Sequence, residues 1–413
     1  MEKVVRRIPI LCAALLLLAP NLCLAQQSNG SPVAEEIRRA LTLEQQSKYV
    51  DAELAWKSVV KLQPRNAQAY AHLGVLEARQ EHYSEAIANY RKAQTLAQAE
   101  GKPIPQLNLD LGLALFKSEQ FQEAGAVFEA ELKEHPMSAD AQKLTILTAM
   151  SHYGAHQYKK ATPYLEQAVA ADPRNLTLLL TLAHCYLWTK QLDPVMNVFK
   201  QILMVDPDSA EADMIAGEAL DEKGDQEGAV EQFKAAATAN SKEPNVHFAL
   251  AYLFWTMKRY DQAIPEFKAE LENDPKNYQA MIYLGDTYVR QNEFDEAKTV
   301  LQKAVESQSS VPLVHLDMGI VDMEIGDNQG AAKELNKAIA LEPDNVDAHF
   351  RLATVYRSMG NKDAAKVEFT KASMLNKKRD DSVHDRIAAA NAPSGDKPAQ
   401  PQKPNGQEKP DQP

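Results

Sequence analysis

One spacing recurs along this chain and restricts what it can fold into. In Leu284–Ala304, LGDTYVRQNEFDEAKTVLQKA, a Leu-Gly pair is followed by Tyr288, then Phe294, Ala297, Leu301 and Ala304. Leu73–Ala93, LGVLEARQEHYSEAIANYRKA, carries nearly the same spacing. Aligned with itself, the chain has a period of about 34 residues. It divides into ten repeats: 33–66, 67–104, 105–138, 139–175, 176–209, 210–243, 244–277, 278–311, 312–345 and 346–379. Within a repeat, Met281, Leu284, Gly285 and Tyr288 fall on one helical face. The polar RQNEFDEA makes a turn, and Phe294, Ala297, Leu301 and Ala304 line one face of a second helix.

The small residues explain the spacing. The position of Gly285 holds only Gly or Ala in all ten repeats, and the position of Ala297 holds Ala except at Val195. The position of Leu301 is always large and apolar, as in Trp56, Tyr90, Phe128, Phe267 and Phe369. Small side chains let paired helices approach, and the large one fills the space beside them. Many repeats close on Pro-x-Asn, as at Pro343–Asn345, where proline cannot continue the preceding helix. Glu131 and Glu270 stand where most repeats have an apolar residue, and they read as hydrogen-bonded structural carboxylates. Pro163, Pro194 and Pro265 fall near the starts of second helices.

This pattern, over residues 33–379, closely resembles the tetratricopeptide repeat (TPR). The resemblance implies an all-α fold: a right-handed superhelical solenoid of helical hairpins, with first helices lining a concave groove. A lone hairpin cannot bury its apolar face, so stability comes from stacking neighbours.

The flanks read differently. Residues 1–25 have a basic start (Lys3, Arg6, Arg7), an apolar run from Ile10 to Ala19 and a small residue at Ala25. That is the layout of a cleaved secretory signal, with a periplasmic or secreted product beginning at Gln26, whose residues 26–32 form a linker into the repeats. The rival is an uncleaved anchor, for which Ile8–Leu24 is marginally short. Residues 380–391 read as a short capping helix, and the proline-rich 392–413 as disordered. Beyond the signal only Cys185 remains, so no intrachain disulfide is expected.

No phosphate loop, nucleophile elbow, zinc-helix motif or cysteine pair is present. An enzyme would have to build its site on the repeats, so no catalysis, cofactor or metal is expected. His152 and His156 have helical i, i+4 spacing without an evident third ligand; His247, His315 and His349 are equivalent repeat positions, not a cluster. The net charge of -12 argues against nucleic acid as the main partner. The expected partner is a protein or peptide, with membrane contact only through that partner or an uncleaved signal.

The groove positions implied by the resemblance nominate Phe116, Tyr153, Leu187, Phe248, Tyr252, Trp255, Ile282 and Val289 for binding. Exposed aromatic residues are favoured anchors. Glu211, Glu218, Asp221 and Asp286 edge the groove; they read as a solvated face or as a receiver for a basic segment. The leading expectation is an interaction scaffold that captures a peptide segment or helix. The alternative is a structural subunit of an envelope secretion, pilus or polymer-export assembly, and an enzyme with a repeat-borne site ranks below both.

Overall fold

A computed structural model describes residues 31–390, with side chains through 380. The calls on the secretory signal and the proline-rich tail lie outside the described residues. Among the described residues the regular structure is helical: twenty helices, two in each of the ten repeats. The fold is an all-α solenoid of helical hairpins. It falls into two compact parts, divided between Val246 and His247.

The small-against-large rule operates in both parts. A Cβ on Gly74 would stand 2.6 Å from the Tyr90 ring, and one on Gly319 would stand 2.6 Å from Leu335. Such distances lie well inside van der Waals contact, so any larger side chain would push the pair apart. Tyr90, Phe128, Phe267, Leu301 and Leu335 are buried beside these positions. Val195, the departure from alanine, is fully buried as well.

Helix entry differs between repeats. Asn66, Asn175, Asn277 and Asn345 each cap a first helix, accepting from the backbone N–H three residues on, as in Ala348 N to Asn345 Oδ1 at 2.9 Å. This is the role of the asparagine in Pro-x-Asn. The third and seventh repeats lack it. Their first helices, Leu107–Lys117 and Val246–Thr256, follow Gln106 and Asn245, both at φ +63°. In these repeats the glutamates of the second helix reach back. Glu270 accepts from Phe248 N at 3.2 Å and from Asn277 Nδ2 at 2.9 Å; Glu131 accepts from Asn108 Nδ2 at 2.8 Å. Glu270 thus takes an N-terminal backbone N–H that an asparagine cap would otherwise take, while Glu131 holds its first helix only through the Asn108 side chain.

Two expectations need correction. Among the described residues, the expected capping helix over 380–391 is not separate: one helix runs from Lys362 to Ala390. No proline or glycine interrupts that stretch, so nothing stops the turn at residue 380. Pro163 and Pro265 are the sixth residues of Tyr158–Ala171 and Tyr260–Asn273, beyond the first turn, where proline removes a helical hydrogen bond.

Candidate partner-binding surface

The eight nominated residues separate by exposure. Phe116, Tyr153 and Leu187 in the first part are buried, as are Ile282 and Val289 in the second. Their neighbours close over them: Phe116 meets Phe121 edge-on at 5.2 Å, and Tyr153 meets Tyr158 at 5.7 Å. These five contribute packing and present no surface to a partner. The sequence pattern marks the helical face they share, but not how far the next helix covers it.

Phe248, Tyr252 and Trp255 are different. They follow one another on Val246–Thr256, and helical spacing stacks them: Phe248 on Tyr252 at 6.0 Å, Tyr252 on Trp255 at 5.6 Å. Tyr283, from Tyr278–Gln291, stands edge-on at 5.0 Å from both Tyr252 and Trp255. Phe248, Trp255 and Tyr283 are half-buried, while Tyr252 is 37% exposed.

The cluster rests on a charged floor. Trp255 Nε1 donates to Asp286 Oδ2 at 2.5 Å, and Arg290 Nε donates to the same oxygen at 2.6 Å. The Arg290 guanidinium also lies 5.5 Å from the Trp255 ring centre. Asp286 is buried, so it is neither a solvated groove edge nor a receiver for a basic segment. Nearby, Asp317 is 2% exposed and its Oδ2 has no hydrogen-bond partner. Burial first, and the Asp286 charge second, push its carboxyl well above the usual range. The Tyr283 phenol is pushed up by burial and by its Tyr252 neighbour.

Tyr283, Arg290 and Asp317 were not singled out from the sequence. Only the last two offered a signal, as charged residues on first helices rich in apolar side chains. Trp188, 54% exposed and stacked on Tyr158 at 5.7 Å, was also passed over.

The other candidates resolve into structural roles. His247, His315 and His349 each meet a glutamate of their own repeat (Glu266, Glu334 and Glu368), at 2.6, 2.7 and 2.5 Å. His152 Nδ1 meets Gln157, whereas His156 meets Tyr158, so the two imidazoles do not converge. Among the described residues, no group of three or more His, Cys, Asp or Glu is placed to hold a metal ion. Cys185 is buried, and burial pushes its thiol up to about 12, the opposite of an activated nucleophile.

Comparison with known proteins agrees with the repeat pattern of the fold. Models described as tetratricopeptide repeat match residues 37–103, 109–149, 152–219, 197–244, 254–316 and 346–379, and one described as TPR repeat matches 319–360. Anaphase-promoting complex subunit 3 of Schizosaccharomyces pombe is 22% identical over 320 residues, which are 74% of this chain and 46% of that protein. The BBSome complex member BBS4 homolog of Drosophila melanogaster is 19% identical over 309 residues, 72% of this chain and 62% of that protein. The chain thus spans about half the length of these curated relatives. Among solved structures, YrrB, described as a TPR protein with an unusual peptide-binding site, is 18% identical; it covers 45% of this chain and 95% of its own, with a TM-score of 0.41. With its family models spread from residue 37 to residue 379, the chain belongs to the tetratricopeptide repeat proteins.

Proposed function

We propose that this protein is an exported, non-catalytic scaffold that captures a peptide segment or helix of a partner protein against Tyr252 and Trp255. The observation that carries this reading is the aromatic cluster of the seventh and eighth repeats. Its outer ring, Tyr252, is open to solvent, while Trp255 is fixed by Asp286 and Arg290. Rings already held in place lose little freedom on binding, so more of their contact energy becomes affinity. Repeat proteins as a class bind proteins or peptides, and the two curated relatives are by name members of multi-protein complexes. Export rests on the residue 1–25 pattern alone.

A photo-crosslinker placed at Tyr252 in the source cell would identify the partner. Affinity for that purified partner then tests the reading. Tyr252→Ala should weaken capture about tenfold with an unchanged melting temperature, because an exposed ring contributes little to the fold. Trp255→Ala should lower both affinity and melting temperature, since it also strips a donor from buried Asp286. Unchanged affinity in both variants would remove the cluster from the binding site. Intact mass of the exported product should begin at Gln26; a full-length, membrane-embedded product would overturn the cleavage.

A further inference from the structure

A second surface, separate from the aromatic cluster, emerges when equivalent residues of successive repeats are compared. Ile282 and Leu316 occupy one first-helix position in the eighth and ninth repeats and are 4% and 8% exposed; Phe350 holds that position in the tenth and is 54% exposed. Phe267, Leu301 and Leu335 occupy one second-helix position and are fully buried; Phe369, their equivalent, is half-buried and meets Phe350 edge-on at 5.4 Å. Two large aromatic side chains thus show surface at positions the preceding repeats close.

The eighth repeat shows what closes them. The first helix of the ninth, Pro312–Glu324, packs against both helices of the eighth. That covering helix is amphipathic and acidic: it carries Asp317, Asp322 and Glu324 and no lysine or arginine. Lys298 of the eighth repeat's second helix grips it, donating to Asp322 Oδ1 at 3.1 Å. The tenth repeat has Lys366 at the position of Lys298, exposed and with no side-chain partner among the described residues. Arg357 and Lys362 line the same open cleft as Lys366 and Phe369. In a chain of net charge -12 this face is locally basic. Residues 391–413 contain no large apolar side chain to set against the two rings.

We propose that the face around Phe350, Phe369 and Lys366 docks an acidic amphipathic helix of a partner protein, seated as Pro312–Glu324 is seated on the eighth repeat. Apolar residues of the incoming helix would cover the two rings, and an acid at the place of Asp322 would pair with Lys366. A second copy presenting the same face is disfavoured, because it would bring bases against bases.

A helix-stapled peptide of residues 312–324, added to the full chain, tests the inference by fluorescence anisotropy. Binding should fall about tenfold in Phe350→Ala and by at least as much in Lys366→Glu. Both residues are exposed, so the variants should melt with the unaltered protein. The decisive arm is charge reversal. The peptide carrying Asp322→Lys should fail on the unaltered protein and recover on Lys366→Glu. Absence of that recovery, or peptide binding indifferent to Phe350→Ala, would overturn the proposal. So would self-association in sedimentation that Phe350→Asp abolishes, or binding to phosphatidylglycerol vesicles that Lys366→Glu abolishes, if either occurs without peptide binding. Tyr252→Ala serves as the control: it should leave peptide binding here untouched, so failure at one surface is distinguishable from failure at the other.

Discussion

The two parts of the molecule treat the same row of first-helix positions in different ways. In the first part, Phe116, Tyr153 and Leu187 are packed away among apolar neighbours. In the second, Tyr252 keeps its surface, Trp255 stacks on it, Tyr283 stands edge-on to both, and two buried carboxylates lie close by. The repeat spacing is common to both parts. What differs is not the presence of rings, since Phe116 and Tyr153 are packed away too, but the charged pair beneath them: Asp286 and Arg290 hold Trp255 from below, and Tyr252 beside it keeps its surface.

The largest expected effect asks whether the shared framework is equally strong in both parts. Phe128 and Phe267 are equivalent residues, each fully buried. Phe128→Ala and Phe267→Ala should each cost about 3–5 kcal/mol. Phe267 also approaches Phe248 at 6.1 Å and Tyr283 at 6.3 Å. Its loss should therefore disturb near-ultraviolet circular dichroism from the cluster, which Phe128→Ala should leave intact. Urea melts with separate transitions would show each variant shifting its own part. Equal spectral changes in both variants would break the contrast.

The architecture was legible in the sequence because its signal is local and repeated ten times. Gly285 against Leu301, or Gly319 against Leu335, needs only the hairpin itself to be understood. The candidate surface was less legible because exposure depends on the next repeat. Ile282 and Tyr252 both read as groove positions, yet one is buried and the other open. Tyr283 lies one place along the helix from Ile282 and so outside the row under consideration. Glu270 was read as a structural carboxylate, and its bonds to Phe248 N and Asn277 are structural. That it substitutes for a missing cap required knowing the backbone at Asn245.

That substitution gives an intermediate test. Glu270→Ala leaves the Phe248 N–H without its carboxylate and should cost about 1–3 kcal/mol. Asn175→Ala removes an ordinary cap in the first part and should cost about 1 kcal/mol. Thermal melts of both variants compare the two ways of starting a helix. If Glu270→Ala costs less than Asn175→Ala, the distant glutamate is not acting as a cap.

The finest test reads a slope rather than a loss of fold. Asp110 in the first part and Asp317 in the second hold the same repeat position, and burial raises both carboxyls above the ordinary 3.8. Asp110 reaches about 6, with Lys143 and Arg79 opposing the rise. Asp317 goes well above the ordinary value; Asp286 and Asp347 add to the rise, and Arg290 and Arg351 oppose it. A raised carboxyl means the folded chain holds the proton more tightly than the unfolded one. Between the two values the folded state binds more protons, so stability falls as pH rises. Asparagine cannot ionise and removes that slope. Asp110→Asn should therefore gain stability over the unaltered protein from 3.8 upward, with the advantage levelling above about 6. For Asp317→Asn the advantage should begin at 3.8 and continue to grow at higher pH, because burial and the Asp286 charge carry its carboxyl well above the ordinary value. Urea midpoints collected from about pH 4 to about pH 8 measure both differences. Parallel curves for Asp317→Asn and the unaltered protein would mean that its carboxyl titrates as it does unfolded, and the charged floor of the second part would no longer set it apart from the first.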